Sequence, residues 1–340
     1  MSIQHARQFT RRRFLGRVTL AGTVGFTGLY PRPIAAEPPP ETTRITLFQL
    51  PSICTAPVAV AEALLRAEGF SDVRYVPAIP GVDSSRKLAA GEADFSLNFA
   101  APLTIALDAT HAGVVLAGIH VGCMEIVARE PLRTIRDLKG KKVAVWGLGS
   151  TPHLFLSAMV AHVGLDPASD IQWVVHPPNT HVEPFIEGKI DVLIVFPPQA
   201  QELRARQIGH VVVAMVTDRP WSQYFCCMVE GNREFVRQHP IATKRVLRAL
   251  LKAADLCASE PQTAARLLVD KRQTGSYEYA LQTMQELPYR SWRDFDPEDS
   301  LRFYALRFHE AKMIKSSPQK IIAQGTDWRF LHELKKELKG

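Results

Sequence analysis

From residue 44 onward the chain switches repeatedly between short apolar runs and stretches with a helical period. Ile45–Leu50, Val73–Ala78, Phe95–Ala100 and Val114–His120 read as strands, and Pro57–Glu68, Ser84–Ala90 and Pro102–His111 as the helices between them. The series restarts with strands at Lys142–Gly147, Ile171–His176, Asp191–Phe196 and Val211–Val216, separated by helices at Pro152–Val163, Val182–Glu187 and Pro198–Gln207. Strands alternating with helices of this length predict an α/β protein with parallel, doubly wound sheets covered on both faces. Cys226–Glu230 reads as a further strand that returns to the first sheet and makes the first lobe discontinuous. The crossings between lobes are then expected near Glu125–Glu130 and Val216–Tyr224, where two adjacent connections make a hinge. From Arg233 onward the pattern is helical, interrupted at Pro240, Pro261, Pro288, Pro297 and Pro318. The expected domains are 44–125 with 225–340 as lobe I, including a helical C-terminal extension, and 126–224 as lobe II.

Ahead of this pattern stands a segment of a different kind. Residues 1–36 carry six arginines and no acidic residue, then an apolar run from Val18 to Leu29, and end in Pro33-Ile34-Ala35-Ala36. Basic part, short apolar part and small residues are the order of a secretory signal, with cleavage expected after Ala36. Thr10-Arg11-Arg12-Arg13-Phe14-Leu15 resembles the twin-arginine export signal. The apolar run falls short of the roughly 20 residues of a membrane span. Residues 37–43, with three consecutive prolines, read as a linker. An exported, periplasmic protein is the expectation.

Charge changes meaning once the leader is set apart. The 340 residues hold 41 Lys and Arg against 34 Asp and Glu, a net charge of +7, but outside the leader 35 basic residues face 34 acidic ones. The excess belongs to the leader, and no nucleic-acid partner is expected. Five cysteines fit no disulfide scaffold; Cys226 and Cys227, adjacent on a strand, are expected on opposite faces as small buried side chains.

In open parallel sheets ligands bind beyond the carboxyl ends of the strands. The loops there contain Gln49 and Ser52, Gly81 to Ser84, Asn98 to Ala101, Gly147 to Thr151, His176 to Val182, and Phe196 to Gln199. Pro57, Pro102, Pro152 and Pro198 sit where helices leave these loops, so several helix N-termini face one cleft. The strongest candidate is Gly147-Leu148-Gly149-Ser150-Thr151-Pro152, where glycines admit a ligand and two hydroxyls flank the free N–H groups. It lacks the Lys of a nucleotide phosphate loop and the third Gly of a dinucleotide loop, and no cofactor is expected. His153, His176 and His181 fall on one lobe edge and His120 on the other, but no pair has i, i+4 spacing on a helix, so no metal is expected. Asp83 and Glu183 lie on ligand-side loops where a carboxylate can act as a base, but no carboxylate pair stands at catalytic spacing and neither Gly-x-Ser-x-Gly nor His-Glu-x-x-His occurs; the chain does not read as an enzyme.

Three segments carry a family resemblance. Leu88-Ala89-Ala90-Gly91-Glu92-Ala93-Asp94-Phe95, Ile135-Arg136-Asp137-Leu138-Lys139-Gly140-Lys141-Lys142-Val143 and Phe185-Ile186-Glu187-Gly188-Lys189-Ile190-Asp191-Val192 resemble segments of substrate-binding proteins of bacterial ABC importers. The nearest branch is that of the nitrate, sulfonate and taurine and the thiamine-pyrimidine-precursor binding proteins. The resemblance implies a type II periplasmic-binding-protein fold: a monomer closing its two lobes on a small organic anion or heteroaromatic and delivering it to an ABC permease in the inner membrane. It implies ligand contacts from Gln49, Ser52, Asn98, Phe99, Ala100, Ala101, Gly149, Ser150 and Thr151, with His153, Phe196 and Tyr224 beside them. An enzyme on the same fold, of the dehydratase or pyrimidine-synthase kind, and a ligand sensor for a membrane receptor are the alternatives. No Arg and Asp pair suited to a zwitterion and no Cys-rich motif of the pyrimidine synthases is present.

Overall fold

The computed structural model describes residues 37–339 except 111, 112 and 179; the expected leader lies outside them. Ten strands form two five-stranded sheets. The first contains β1 (Arg44–Gln49), β2 (Asp72–Pro77), β3 (Phe95–Phe99) and β4 (Gly113–Val121); the second contains β5 (Glu125–Ala128), β6 (Lys142–Val145), β7 (Gln172–Val175), β8 (Val192–Val195) and β9 (His210–Ala214). β10 (Phe225–Asn232) returns to the first sheet, giving the orders β2-β1-β3-β10-β4 and β7-β6-β8-β5-β9. Between the strands run α1 (Ala56–Val60), α2 (Glu62–Ala67), α3 (Val82–Ala89), α4 (Ala100–Thr110), α5 (Thr151–His162), α6 (Val182–Ile186) and α7 (Gln199–Ala205).

The sheets are mixed rather than parallel, which corrects the sequence reading. β10 pairs antiparallel with β3 and β4, and β5 pairs antiparallel with β8 and β9. Each enters its sheet from the other lobe, hence from the opposite end to the strands built by local crossovers. β5 also displaces the expected first crossing: Glu125–Ala128 is a central strand of the second sheet, and the chain passes between sheets at Gly122–Met124. Its brief apolar stretch, Ile126–Ala128, is bounded by Glu125 and Arg129 and so reads as linker.

The two motifs that open on a helix-ending glycine do the same work in each lobe. Gly91 and Gly188 have φ of +83° and +80°, the left-handed conformation that ends a helix and that glycine adopts without strain. Three residues later Asp94 accepts from Thr46 N–H at 2.7 Å, and Asp191 from Lys142 N–H at 2.8 Å. Each aspartate thus joins the strand it precedes to that strand's parallel neighbour, β3 to β1 and β8 to β6.

The C-terminal part is helical as expected: α8 (Arg233–Gln238), α9 (Pro240–Ser259), α10 (Pro261–Asp270), α11 (Tyr277–Glu286), α12 (Ser291–Asp294), α13 (Pro297–Glu310), α14 (Pro318–Gly325) and α15 (Arg329–Glu337). Four of its prolines are the first residues of helices, where a missing N–H leaves no bond unmade. The side chains of Asn232, Ser276, Asp296 and Ser317 cap α8, α11, α13 and α14. α13 lies against both α4 of the first lobe and α5 of the second. One apolar core therefore runs through both lobes and the helical extension.

Candidate functional site

The turn after β6 leaves two hydroxyls without partners. Gly149 has φ of +82°, and Ser150 N–H bonds back to Gly147 O at 3.1 Å. Ser150 holds the N-cap position of α5 with extended backbone, yet its hydroxyl makes no cap bond. Neither Ser150 Oγ nor Thr151 Oγ1 has a partner, and both are buried. A buried hydroxyl without a partner is uncommon, because leaving it unpaired costs about 1–3 kcal/mol. His153 serves the turn from within: its Nδ1 accepts from Gly149 N–H at 3.1 Å, and its ring packs edge-on to Trp173. Burial pushes the His153 imidazole down to about 4, so near neutral pH it is uncharged and able to accept.

Across from this turn stands the N-terminus of α3, where the sequence places the strand-end loop Gly81-Val82-Asp83-Ser84. A Cβ placed on Gly81 would lie 3.8 Å from Thr151 Oγ1, so the two lobes meet at this point. Gly81 has φ of +139°, a conformation strained for other residues. Its carbonyl accepts from Ser84 Oγ at 2.8 Å and from Asn98 Nδ2 at 3.2 Å. Asn98 Nδ2 also reaches Ser84 Oγ and Ser85 Oγ, and its Oδ1 accepts from Phe99 N–H. Fully buried, Asn98 has both ends of its amide occupied and holds the Gly81 turn in place. Ser85 Oγ donates to Glu230 at 2.7 Å, and burial raises that carboxyl to about 7. Glu230 lies on β10, 145 residues from Ser85, which is why no local pattern reveals the network.

Phe99 and Phe196 face each other across the lobes with ring centroids 5.4 Å apart, joined by Phe155 and Trp146 of the second lobe. Tyr304 of α13 packs on Phe155 at 5.6 Å. Each such pair contributes about 0.5–1.5 kcal/mol beyond its buried area, so the cluster ties the two lobes together. Ala100 and Ala101, fully buried in the first turn of α4, let that helix approach α5. Gln49 lines a cavity with Pro77, Ile79 and Arg272, and Ser52 hydrogen-bonds Cys54 Sγ at 3.0 Å. Tyr224 stacks on Phe303 of α13, centroids 4.1 Å apart, in a cavity shared with His162 and Arg307. Among the described residues His153, His176 and His181 form no three-ligand group. Asp83 is paired with Lys87 at 3.2 Å on the exposed face of α3.

The hinge is more tightly tied than the sequence implies. Cys123 and Cys226 form a disulfide, which corrects the reading of Cys226 as a small core residue. The cause is a bulge: opposite β4, Phe225 pairs with Val121 and Cys227 with His120, leaving Cys226 as the extra residue. Gly122, with φ of +51°, lets the two crossings touch; a Cβ there would lie 2.4 Å from Met215 O. On the other side Arg204 of α7 forms a two-toothed ion pair with Glu286 of α11, at 2.6 and 2.8 Å, and also contacts Glu125. Burial raises the Glu125 carboxyl, opposed by the Arg204 charge.

Residues 38–269 match the model of the NMT1-like family. The chain belongs to that family. Among curated proteins, this NMT1-like chain is 27% identical over 190 residues to binding proteins of Brucella abortus (strain 2308) and Brucella suis biovar 1 (strain 1330). The match takes in 54% of this chain and spans only 58% of the length of those relatives. Solved structures share the fold. The alkanesulfonate-binding protein SsuA from Xanthomonas axonopodis pv. citri, bound to MOPS, has a TM-score of 0.68 at 17% identity, covering 86% of this chain and all of that one. The periplasmic nitrate-binding protein NrtA from Synechocystis PCC 6803 has a TM-score of 0.70 at 16% identity, covering 88% of this chain and 90% of that one. The two-lobed NMT1-like chain thus has the periplasmic-binding-protein fold.

Proposed function

We propose that the protein is an extracytoplasmic solute-binding protein of an ABC importer. In this reading it holds a small organic anion between the N-termini of α3 and α5, leaves it chemically unchanged, and hands it to a membrane permease. The observation that carries the reading is the pair of buried, unpartnered hydroxyls of Ser150 and Thr151 at the start of α5, facing Gly81 of the other lobe. Free N–H groups and the positive ends of two helix dipoles favour negative charge at that point. The sulfonate- and nitrate-binding proteins of the same fold support the ligand class. The basic, Ala-ended leader and the Cys123–Cys226 disulfide support an oxidising compartment outside the cytoplasm. Binding at 1 μM corresponds to about −8 kcal/mol, within reach of several N–H and hydroxyl bonds. Closure follows only if the ligand binds the closed form more tightly than the open one.

Calorimetric titration with short alkanesulfonates, taurine and nitrate tests the reading. Ser150→Ala with Thr151→Ala is expected to weaken the bound anion by about 10- to 100-fold, from two lost hydrogen bonds, with the unfolding midpoint little changed. Unaltered affinity in the double variant would remove this turn from the site, and turnover of the ligand by purified protein would replace binding with catalysis.

A further inference from the structure

Three ligating side chains from distant parts of the chain meet inside the first lobe. Cys54 comes from the turn after β1, His120 from the end of β4 and Cys227 from the bulge of β10. All three are fully buried, and one ligand atom from each lies within 4.8 Å of the others. We propose that Cys54, His120 and Cys227 bind a zinc ion. The site is independent of the anion cleft and of the proposed transport role.

Distance selects the metal. Cys54 Sγ and Cys227 Sγ stand 3.8 Å apart. Two thiolates bound to one tetrahedral zinc at about 2.3 Å stand about 3.8 Å apart, whereas a linear two-coordinate ion of similar bond length needs over 4 Å. Charge agrees: a divalent ion with two thiolates and a neutral imidazole has no net charge, as burial requires. On binding, the thiols that carry protons release them to solvent.

The surroundings of His120 point the same way. Its Nδ1 lies 3.1 Å from Gly122 O and its Nε2 3.1 Å from Cys54 O, so both nitrogens face oxygens that only accept. A neutral ring donates to one of them and turns a lone pair on the other. With Nδ1–H bonded to Gly122, Nε2 is left as the metal ligand, the usual arrangement of a carbonyl orienting a ligating histidine. Tyr289 braces both partners: its hydroxyl donates toward Ile53 O and Cys54 O at 3.3 Å, and its ring packs edge-on to His120. Ser52 Oγ, 3.0 Å from Cys54 Sγ and only half-buried, marks the way in, and the fourth position is left to a water. The Cys123–Cys226 disulfide is already made close by, so an ion on the other two thiols would also keep them from oxidising.

Anaerobic titration of the folded, disulfide-intact chain with Co(II), then Zn(II), tests the site. One equivalent of Co(II) is expected to raise a sulfur-to-cobalt charge-transfer band that zinc abolishes. Zinc affinity is expected to fall at least 100-fold in Cys54→Ser, Cys227→Ser and His120→Asn. It should stay within 2-fold in Cys257→Ser, which removes a buried thiol outside the cluster. No band in the wild-type chain overturns the proposal whether or not the variants fold, and so does a metal-free Cys54–Cys227 disulfide found by peptide mapping. Uptake undiminished in a folded Cys227→Ser variant overturns it equally.

Discussion

Replacing Cys123 and Cys226 together by alanine is expected to lower the free energy of unfolding by about 4 kcal/mol. The bond closes a loop with a sequence separation of 103 residues, and a cross-link over some 100 residues removes about 4–5 kcal/mol of unfolded-chain entropy. Here the native side of the balance adds to the effect. Cys123 lies on the first crossing between the sheets and Cys226 at the end of the second, so the bond fastens the two hinge segments together. The crossings are also joined by Met215 N–H to Met124 O at 3.0 Å and Gly122 N–H to Tyr224 O at 3.3 Å, and these bonds have to hold the hinge alone once the disulfide is gone. Denaturant unfolding of the wild-type and double-alanine chains measures the difference. A change below about 1 kcal/mol would show that the hydrogen bonds and the aromatic cluster suffice.

Between pH 4.5 and pH 8 the wild-type chain is expected to lose about 3 kcal/mol of stability relative to Glu230→Gln. The Glu230 carboxyl is fully buried between β3 and β4, and burial raises it from its ordinary 4.5 to about 7, with Ser85 and Asn98 opposing. A carboxyl raised on folding keeps its proton in the native state while the unfolded chain gives it up. Its stabilising contribution is therefore complete below pH 4.5 and is lost as pH rises through 7. One pH decade is worth about 1.4 kcal/mol, which sets the size of the loss. Glutamine keeps an acceptor for Ser85 Oγ but cannot ionise. Urea midpoints of both chains at pH 4.5, 6, 7 and 8 give the comparison, and parallel curves would mean that Glu230 is not held protonated. Because Ser85 lies on α3, the same substitution reads how firmly β10 holds the helix whose first residues face the cleft.

Much of the architecture was already present in local patterns. Apolar runs alternating with helical periods placed nine of the ten strands, and the prolines that open α9, α10, α13 and α14 marked those starts, because a ring that fixes φ and lacks an N–H fits only there. The two Gly-x-x-Asp motifs were legible for the same reason: a left-handed helix end followed by an aspartate three residues on is a local arrangement. The Ser150–Thr151 turn could be singled out as candidate chemistry, since glycines, hydroxyls and a helix start lie within six residues.

Tertiary structure decided what depends on contacts between remote segments. The antiparallel entry of β5 and β10 follows from the chain crossing between lobes, which alternation along the chain does not encode. The disulfide needs a bulge opposite β4 to turn Cys226 toward a residue 103 positions away. Asn98 sits at a strand end like the other candidates, but only packing reveals that its amide is spent on Gly81, Ser84 and Ser85. Tyr224, close in sequence to the second crossing, turns instead to Phe303 of α13. Periodicity governs which residues share a face within one element; which faces then meet is settled by the path of the whole chain through space, and there the partners of Cys54, Ser85 and Asn98 are chosen.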